Sequence, residues 1–246
     1  MPHSFTGIQA VLLDIEGTIC SISFVKDTLF PYALSALPQV LQQRWSDSDF
    51  KQYRDAFPPE ALTSPAAFEA HVKDLTARDV KAPYLKALQG YLWESGYESK
   101  AYATPLFRDV VPKLRAWYDQ GLSLAIFSSG SVFAQKLLFG HVKKDSEASS
   151  NDSDDLKGLI SHWYDTVNAG PKTEATSYKT ITTGVGVKPE AVLFLSDNVK
   201  EVAAAKEAGM HAVVIDRPGN ATLSDDDRKK HLVLSSLDEI AIENYR

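Results

Sequence analysis

The sequence has almost no cysteine, and it lacks long apolar runs and clustered basic residues. Its one cysteine among 246 residues, Cys20, excludes an intrachain disulfide and favours an intracellular compartment. No run of 18 apolar residues occurs, so we expect no membrane-spanning helix. The formal net charge of −6, without a basic cluster, argues against a nucleic-acid partner. We therefore expect a chain that acts on neither membranes nor nucleic acids.

The composition is that of an ordinary globular protein, with 44% hydrophobic and 24% charged residues. A chain of this length can bury a core without disulfides or structural metals. It has room for one large domain, or for a core domain with a smaller lid.

Short apolar runs alternate with helical patterns along most of the chain. The runs, at residues 10–13, 122–127, 191–195 and 211–215, suit strands buried on both faces. Helical spacing of apolar residues covers 107–118, 132–139, 174–183 and 200–208. The alternation predicts an α/β fold built on a doubly wound parallel sheet.

One long segment interrupts this alternation. Residues 21–102 show only helical patterns, at 28–43, 66–76 and 84–94, separated by proline-rich turns. A connection of that length needs a fold of its own. We therefore expect a helical cap domain at 21–102, placed over the carboxyl end of the sheet, and an α/β core domain at 1–20 and 103–246.

The first candidate site follows the first predicted strand, in the run Asp14-Ile15-Glu16-Gly17-Thr18. Ligands of open α/β sheets bind at the carboxyl ends of the strands. An aspartate there can attack a phosphoryl group as a covalent nucleophile, and Asp14 with Glu16 can also bind a divalent cation. Taken alone, the run also suits a polar turn that caps a helix.

The second candidate is Ser128-Ser129-Gly130-Ser131, between a predicted strand and a helix. Hydroxyl and backbone N–H groups at a helix N-terminus can cradle a phosphate. Ordinary helix capping is the alternative, and taken alone it is the more common one.

Lys172 and Asp197 complete the set. Lys172 lies in a Gly-Pro turn before a helix and could supply the fixed cation that a phosphate site needs; Lys179 is the rival. Asp197 follows the strand at 191–195, so it could face Asp14 and complete a Mg²⁺ site. Its alternative is again a helix cap. The order of acidic pair, serine, lysine and aspartate, each at a strand end or helix start, predicts phosphoryl transfer.

This order resembles the haloacid dehalogenase-like superfamily, and within it the enolase-phosphatases (acireductone synthases) of methionine salvage. The runs that carry the resemblance are Leu12–Thr18, Ile22–Asp27, Tyr32, Ser128–Ser131, Lys172–Glu174, Ser177-Tyr178, Phe194–Asp197 and Arg217–Ala221. Most superfamily phosphatases have aspartate where this chain has Glu16. The Arg-Pro-Gly-Asn-Ala run is the second distinctive mark.

The resemblance implies a Rossmann-like core and a specific reaction. The family converts 2,3-diketo-5-methylthiopentyl 1-phosphate into acireductone and phosphate, first enolising the diketone and then removing the phosphate, with one Mg²⁺ per subunit. By that resemblance Asp14, Glu16 and Asp197 belong to the metal site, Glu16 through its backbone carbonyl. Ser128, Ser129 and Lys172 bind the substrate. Asp14, Glu16 and Lys172 are the catalytic residues.

The resemblance also implies a monomer that acts on a small-molecule phosphoester in the cytoplasm and in the nucleus. Phe24 and Lys26, where the cap begins, are candidates for contact with the diketone chain, against the alternative that Phe24 packs the cap and Lys26 is exposed. Another small-molecule phosphatase of the same superfamily is the alternative function. A scaffold without activity is the second, and the intact motif set argues against it.

Overall fold

A computed structural model describes residues 2–145 and 150–243. The chain forms two compact units, one built from the residues up to Ser23 together with those from Ala103 onward, the other from Phe24–Tyr102. The inserted unit thus begins three residues later than the expected boundary at 21. The chain is still tied to the first unit at Cys20, whose backbone bridges to Leu106 and whose thiol donates to Pro105 O.

The described residues contain ten strands. They are β1 His3–Thr6, β2 Ala10–Leu13, β3 Ser123–Phe127, β4 Val142–Lys143, β5 Ser153–Asp154, β6 His162–Tyr164, β7 Val192–Ser196, β8 His211–Ile215, β9 Val233–Leu234 and β10 Ile240–Glu243.

Six of these strands form one parallel sheet in the order β6-β3-β2-β7-β8-β9. β2 lies at its centre, with Leu13 level with Ile126 of β3 on one side and with Leu195 of β7 on the other. Every residue of β2 and β7 is buried, as expected for strands covered on both faces. The residues that follow β2, β3 and β7 therefore meet at one edge of the sheet.

Ten α-helices accompany the strands. They are α1 Ile22–Phe24, α2 Phe30–Arg44, α3 Ser48–Arg54, α4 Pro65–Ala77, α5 Pro83–Glu98, α6 Val110–Asp119, α7 Val132–Gly140, α8 Ala175–Val185, α9 Val199–Glu207 and α10 Asp225–Lys230. A short π-helix, Val25–Leu29, joins α1 to α2.

One face of the sheet packs against α8 and α9. Phe194 of β7 lies at the centre of this core, in edge contact with Tyr178 of α8, and Val202 of α9 joins the same cluster. Strands covered by helices need no alternating pattern, which explains why the apolar runs in the sequence are continuous. The α/β fold with a parallel sheet and a helical region is as predicted.

The inserted unit is helical throughout, as its sequence pattern indicates. Rings from several helices pack around Phe68 of α4, including Phe50 of α3. Trp93 of α5 donates from Nε1 to Leu29 O at 2.8 Å and ties the two ends of the unit together. No described helix is both long enough and apolar enough to cross a membrane.

Two short pairings depart from the predicted pattern. Near the Ser- and Asp-rich segment 143–157, β4 pairs with β5 in an antiparallel arrangement that no apolar run in the sequence indicates; residues 146–149 lie outside the described residues. At the chain ends, β1 pairs in parallel with β10 to form a separate two-stranded sheet. Neither strand has the continuous apolar run on which the sequence-based strand predictions rested.

Candidate active site

The sheet edge beyond β2, β3 and β7 brings together most of the residues singled out in the sequence. Asp14 follows β2 directly, and its N–H donates to Leu195 O of β7 at 2.9 Å. Asp197 follows β7 and Ser128 follows β3. Asp14 and Ser128 are buried, with 5% and 4% of their surface exposed, whereas Asp197 is half-buried. Parallel pairing of neighbouring strands is what carries residues so distant in sequence to one place.

Lys172 lies at the centre of this cluster. Its Nζ is 2.5 Å from Asp14 Oδ1 and 2.7 Å from Oε2 of Glu201, and all three side chains are largely buried. The ammonium also lies over the ring of Phe127, 5.6 Å from its centroid. The rival lysine of the sequence analysis, Lys179, is exposed on α8. The structure thus places Lys172, and not Lys179, against the acidic residues.

The turn that carries Lys172 is fixed by the first residues of α8. Tyr178 donates from its hydroxyl to Lys172 O at 2.7 Å, and Ser177 donates to Pro171 O at 2.7 Å. Gly170 has φ +105° and lies so close to Ser177 that a Cβ atom would come within 2.7 Å of its hydroxyl. The turn therefore needs glycine here.

Glu201 is the one buried acid of the site that the sequence interpretation did not select. It lies four residues after Asp197, in the first turn of α9, and accepts a hydrogen bond from Ser196 Oγ at 2.9 Å. The sequence gives no clear signal for Glu201, because Asp197 lies before the N-cap of α9 and the helical spacing rule does not link the two residues. The N-cap of α9 is Asn198, whose side chain accepts a hydrogen bond from Lys200 N. Asp197 is therefore not the residue that caps this helix.

Thr18 connects the two aspartates. Its hydroxyl donates to Asp14 Oδ2 at 3.1 Å and accepts from the backbone N–H of Asp197 at 3.0 Å. Thr18 is fully buried. Both carboxylate oxygens of Asp14 are thus engaged, one by Lys172 and the other by Thr18, which fixes the orientation of the carboxylate.

Burial first, and then the negative charge of neighbouring acids, determines the pKa values of the cluster. Burial, together with the charges of Asp14 and Glu201, raises the pKa of Asp197 to about 7. Burial and the charge of Asp14 also raise the pKa of Glu201. Burial alone would lower the pKa of Lys172, but Asp14 and Glu201 outweigh it and raise that pKa. Lys172 therefore stays protonated and charged. Asp197 and Glu201 lose their protons less readily than free carboxylic acids do.

The serine loop after β3, residues 128–131, is held by hydrogen bonds from α7. Gln135 of α7 is buried and donates from Nε2 to Gly130 O and to Tyr164 O, both at 2.8 Å. Ser128 Oγ accepts from Gly130 N at 3.2 Å. Ser129 is exposed at the sheet edge. The N-cap of α7 is Ser131, so the capping role considered for the whole run falls on its last serine.

Three other candidates were named from the sequence. Glu16 is half-buried in the turn after Asp14. Phe24 packs inside the helical unit, edge-on to Tyr102 with ring centroids 6.2 Å apart, and Lys26 is exposed. The alternative weighed for Phe24 and Lys26, packing and exposure, describes them in this structure.

The buried cluster is chemically suited to a divalent cation. Asp14 and Glu201 both pair with the ammonium of Lys172, and their charges add to the larger effect of burial in raising the pKa of Asp197. A cation would balance this negative charge. Within residues 2–145 and 150–243, no group of three or more His, Cys, Asp or Glu side chains is arranged to hold a metal ion. Mg²⁺ needs none, because it commonly takes one or two carboxylates and fills its shell with water and phosphate oxygens.

Comparison with known proteins agrees with this geometry. The model of the haloacid dehalogenase-like hydrolases matches residues 8–209. The chain is 58% identical over 234 residues to enolase-phosphatase E1 of Podospora anserina, covering 94% of this chain and 97% of that protein. It is 50% identical to enolase-phosphatase E1 of Yarrowia lipolytica, covering 95% of this chain and all of that protein.

A solved structure shows the same architecture. The UTR4 protein of Saccharomyces cerevisiae superposes with a TM-score of 0.82 at 42% identity, covering 94% of this chain and 99% of that chain. A crystal structure of a dehalogenase, with a TM-score of 0.54 at 21% identity, shares the fold alone. The chain therefore belongs to the haloacid dehalogenase-like hydrolases and, within them, to the enolase-phosphatases.

Proposed function

We propose that this chain converts 2,3-diketo-5-methylthiopentyl 1-phosphate into acireductone and phosphate in methionine salvage, with one Mg²⁺ per subunit. The observation that carries the proposal is the buried ion pair of Lys172 with Asp14, 2.5 Å long, set among two further acids. Identity of 50–58% with enolase-phosphatases over nearly the whole chain supports the same reaction.

The metal would be held by the side chains of Asp14 and Asp197 and by the backbone carbonyl of Glu16. When bound, Mg²⁺ supplies Lewis-acid polarisation of a substrate oxygen and offsets negative charge on the phosphoryl group. Asp14 is suited to this role because its carboxylate is already oriented by Lys172 and Thr18. Glu201 stays paired with Lys172 and keeps the ammonium in place.

The phosphate would bind between Lys172 and the serine loop. Ser128 and Ser129 would donate hydrogen bonds to phosphate oxygens, and the ammonium of Lys172 would offset their charge. Asp14, next to Lys172, is the candidate nucleophile toward phosphorus. Its Oδ–P bond would form as the bond from phosphorus to the substrate oxygen breaks, and water would then release phosphate from the aspartate.

Enolisation requires a base that removes a proton from the carbon next to the carbonyl. We assign this step to Glu16, which is half-buried two residues after Asp14. The longer side chain of glutamate, compared with the aspartate of most superfamily phosphatases, would extend its reach. The same carboxyl group would then return a proton as the phosphate leaves.

The assay that tests this function measures phosphate release from a panel of phosphoesters with and without Mg²⁺. We expect the diketone phosphate to give the highest kcat/KM, and turnover to require Mg²⁺. A higher kcat/KM on an unrelated sugar phosphate would instead assign the chain to another small-molecule phosphatase. Loss of turnover on every substrate would favour a scaffold without activity.

The remaining assignments rest on the family. We propose a monomer located in the cytoplasm and in the nucleus, in which the helical unit, expected from the sequence at 21–102, serves as a cap for the substrate. Light scattering after size-exclusion chromatography tests the monomer, and a fluorescent fusion tests the location. A dimer in solution, or exclusion from the nucleus, would contradict the respective assignment.

A further inference from the structure

The Arg-Pro-Gly-Asn run near the C-terminus has no part in the reaction described above, yet it contacts the catalytic turn. Arg217 is buried, with 7% of its surface exposed, and its Nε donates to Thr18 O at 3.0 Å. Asn220 donates from Nδ2 to Gly17 O at 2.8 Å. Two consecutive carbonyls of the turn after β2 are thus bound by side chains from the loop after β8.

The guanidinium of Arg217 is itself rigidly held. Nη1 donates to Ser235 O at 3.0 Å, and Nη2 pairs with Asp109 Oδ2 at 2.8 Å. Its plane lies over the ring of Phe107, 4.5 Å from the centroid. Burial would raise the pKa of Asp109, but the hydrogen bonds from Arg217 and from Leu237 N outweigh it and lower that pKa. The contact to Thr18 is therefore made by a fixed, charge-balanced group.

Asn220 is anchored in the same way. Its Nδ2 also donates to Ile215 O, at 3.2 Å, at the end of the sheet strand β8. Its Oδ1 lies against Gly17, where a Cβ atom would be 3.0 Å away. Asp197 packs on the same side of Gly17, since its Cγ would lie 2.7 Å from the same Cβ atom. Asn220 and the carboxylate of Asp197 thus both pack where a side chain at position 17 would stand.

The bound peptide units are the ones that set the positions of both aspartates. Thr18 holds Asp14 Oδ2 and the backbone N–H of Asp197 through its hydroxyl. Gly17, which has no Cβ atom, lets the carboxylate of Asp197 lie close to the turn. Movement of the Gly17–Thr18 peptide would therefore change the placement of Asp14 and Asp197 together.

We propose that Arg217 and Asn220 are positioning residues, which hold the carbonyl groups of Thr18 and Gly17 so that Asp14 and Asp197 are placed to bind the divalent cation. The inference rests on the metal site of the proposed function. Neither residue needs to touch the substrate or the metal. Partners of this kind, one shell beyond the ligands, commonly change metal affinity by about 10- to 100-fold when removed.

The test is the affinity for Mg²⁺, measured by isothermal titration calorimetry without substrate. In Asn220→Ala we expect the Kd for Mg²⁺ to rise by about tenfold. In the assay, the Mg²⁺ concentration for half-maximal velocity should rise by the same factor, with kcat largely restored at saturating Mg²⁺ and the substrate KM little changed. A residue that only stabilises the fold would not produce that pattern.

Ser236→Ala is the matched control. Ser236 donates to Asp109 Oδ2 at 2.9 Å, so its loss disturbs the cluster around Arg217 without removing a bond to the turn. We expect a lower melting temperature and a Kd for Mg²⁺ within about twofold of the wild type. Equal weakening of Mg²⁺ binding in Ser236→Ala and Asn220→Ala would overturn the proposal.

Arg217→Lys keeps the positive charge beside Asp109 but loses the planar set of donors of the guanidinium. This variant is the second test of the positioning role if Asn220→Ala does not fold. We expect its Kd for Mg²⁺ to rise severalfold, and a wild-type Kd in either folded variant refutes the positioning role. If the wild type itself binds no Mg²⁺, the metal site of the proposed function is wrong, and the inference is refuted with it.

Discussion

Replacement of Gly17 by alanine probes the packing of the catalytic turn most sharply. Gly17 has φ +76°, a conformation that costs an alanine roughly 1–2 kcal/mol. The new Cβ would also lie 2.7 Å from Asp197 Cγ. To bring Cγ to the 3.4 Å at which ordinary contact begins, the carboxylate must move by at least roughly 0.7 Å, because its Oδ2 lies closer still. A displacement of that order at a reacting centre can lower the rate by about 100-fold.

Gly186 provides a matched control for the strain alone. It has φ +79° at the C-terminal end of α8, and a Cβ atom there would meet no heavy atom of the described residues within 4 Å. Gly186→Ala should therefore lose the same roughly 1–2 kcal/mol of stability, with wild-type activity.

The two variants are compared by thermal denaturation and by phosphate release at saturating Mg²⁺. We expect similar losses of stability, and a decrease in kcat/KM of about 100-fold in Gly17→Ala alone. Wild-type kcat/KM in a folded Gly17→Ala would show that the contact between Gly17 and Asp197 does not set the position of the carboxylate. Equal losses of activity in both variants would refute the reasoning as well.

Three further predictions concern the charged groups. Lys172→Met should lower the rate of phosphate release by at least about 100-fold. It should also lower the free energy of unfolding by roughly 3–5 kcal/mol, because the buried acids lose their cation. A wild-type free energy of unfolding would contradict this. Since burial raises the pKa of Asp197 to about 7, a proton competes with Mg²⁺ below that pH, and calorimetry should show affinity falling by up to about tenfold per pH unit. Glu16→Gln should abolish enolisation; an unchanged enolisation rate excludes Glu16 as the base.

Much of the site could be predicted because it lies where buried strands end. Asp14 and Asp197 follow continuous apolar runs, and the strands β2 and β7 end at or within one residue of the predicted positions. Lys172 was harder, since one lysine in a turn resembles many others. Its assignment depended on the order of all four motifs. Its contact with Asp14 arises because the turn before α8 places Lys172 beside the end of β2.

The parts that could not be predicted depend on contacts between distant segments. Glu201 reads as an ordinary polar residue of a helix start until α9 places it beside Lys172. The role of Arg217 comes from a contact 199 residues away in sequence, at Thr18 O. The edge strand β6, His162–Tyr164, is short and half-buried, so it lacks the apolar run that marks the central strands. Sequence patterns report burial, whereas these roles depend on which segments meet.

Asp14 is the central residue of the proposed reaction, and one experiment tests its role directly. The wild type and Asp14→Asn are mixed with the diketone phosphate and Mg²⁺, and the ultraviolet absorbance of the enol is followed together with phosphate release. We expect the wild type to form the enol first and then release phosphate, and Asp14→Asn to release none above background. Phosphate release at the wild-type rate in a folded Asp14→Asn would contradict the central claim.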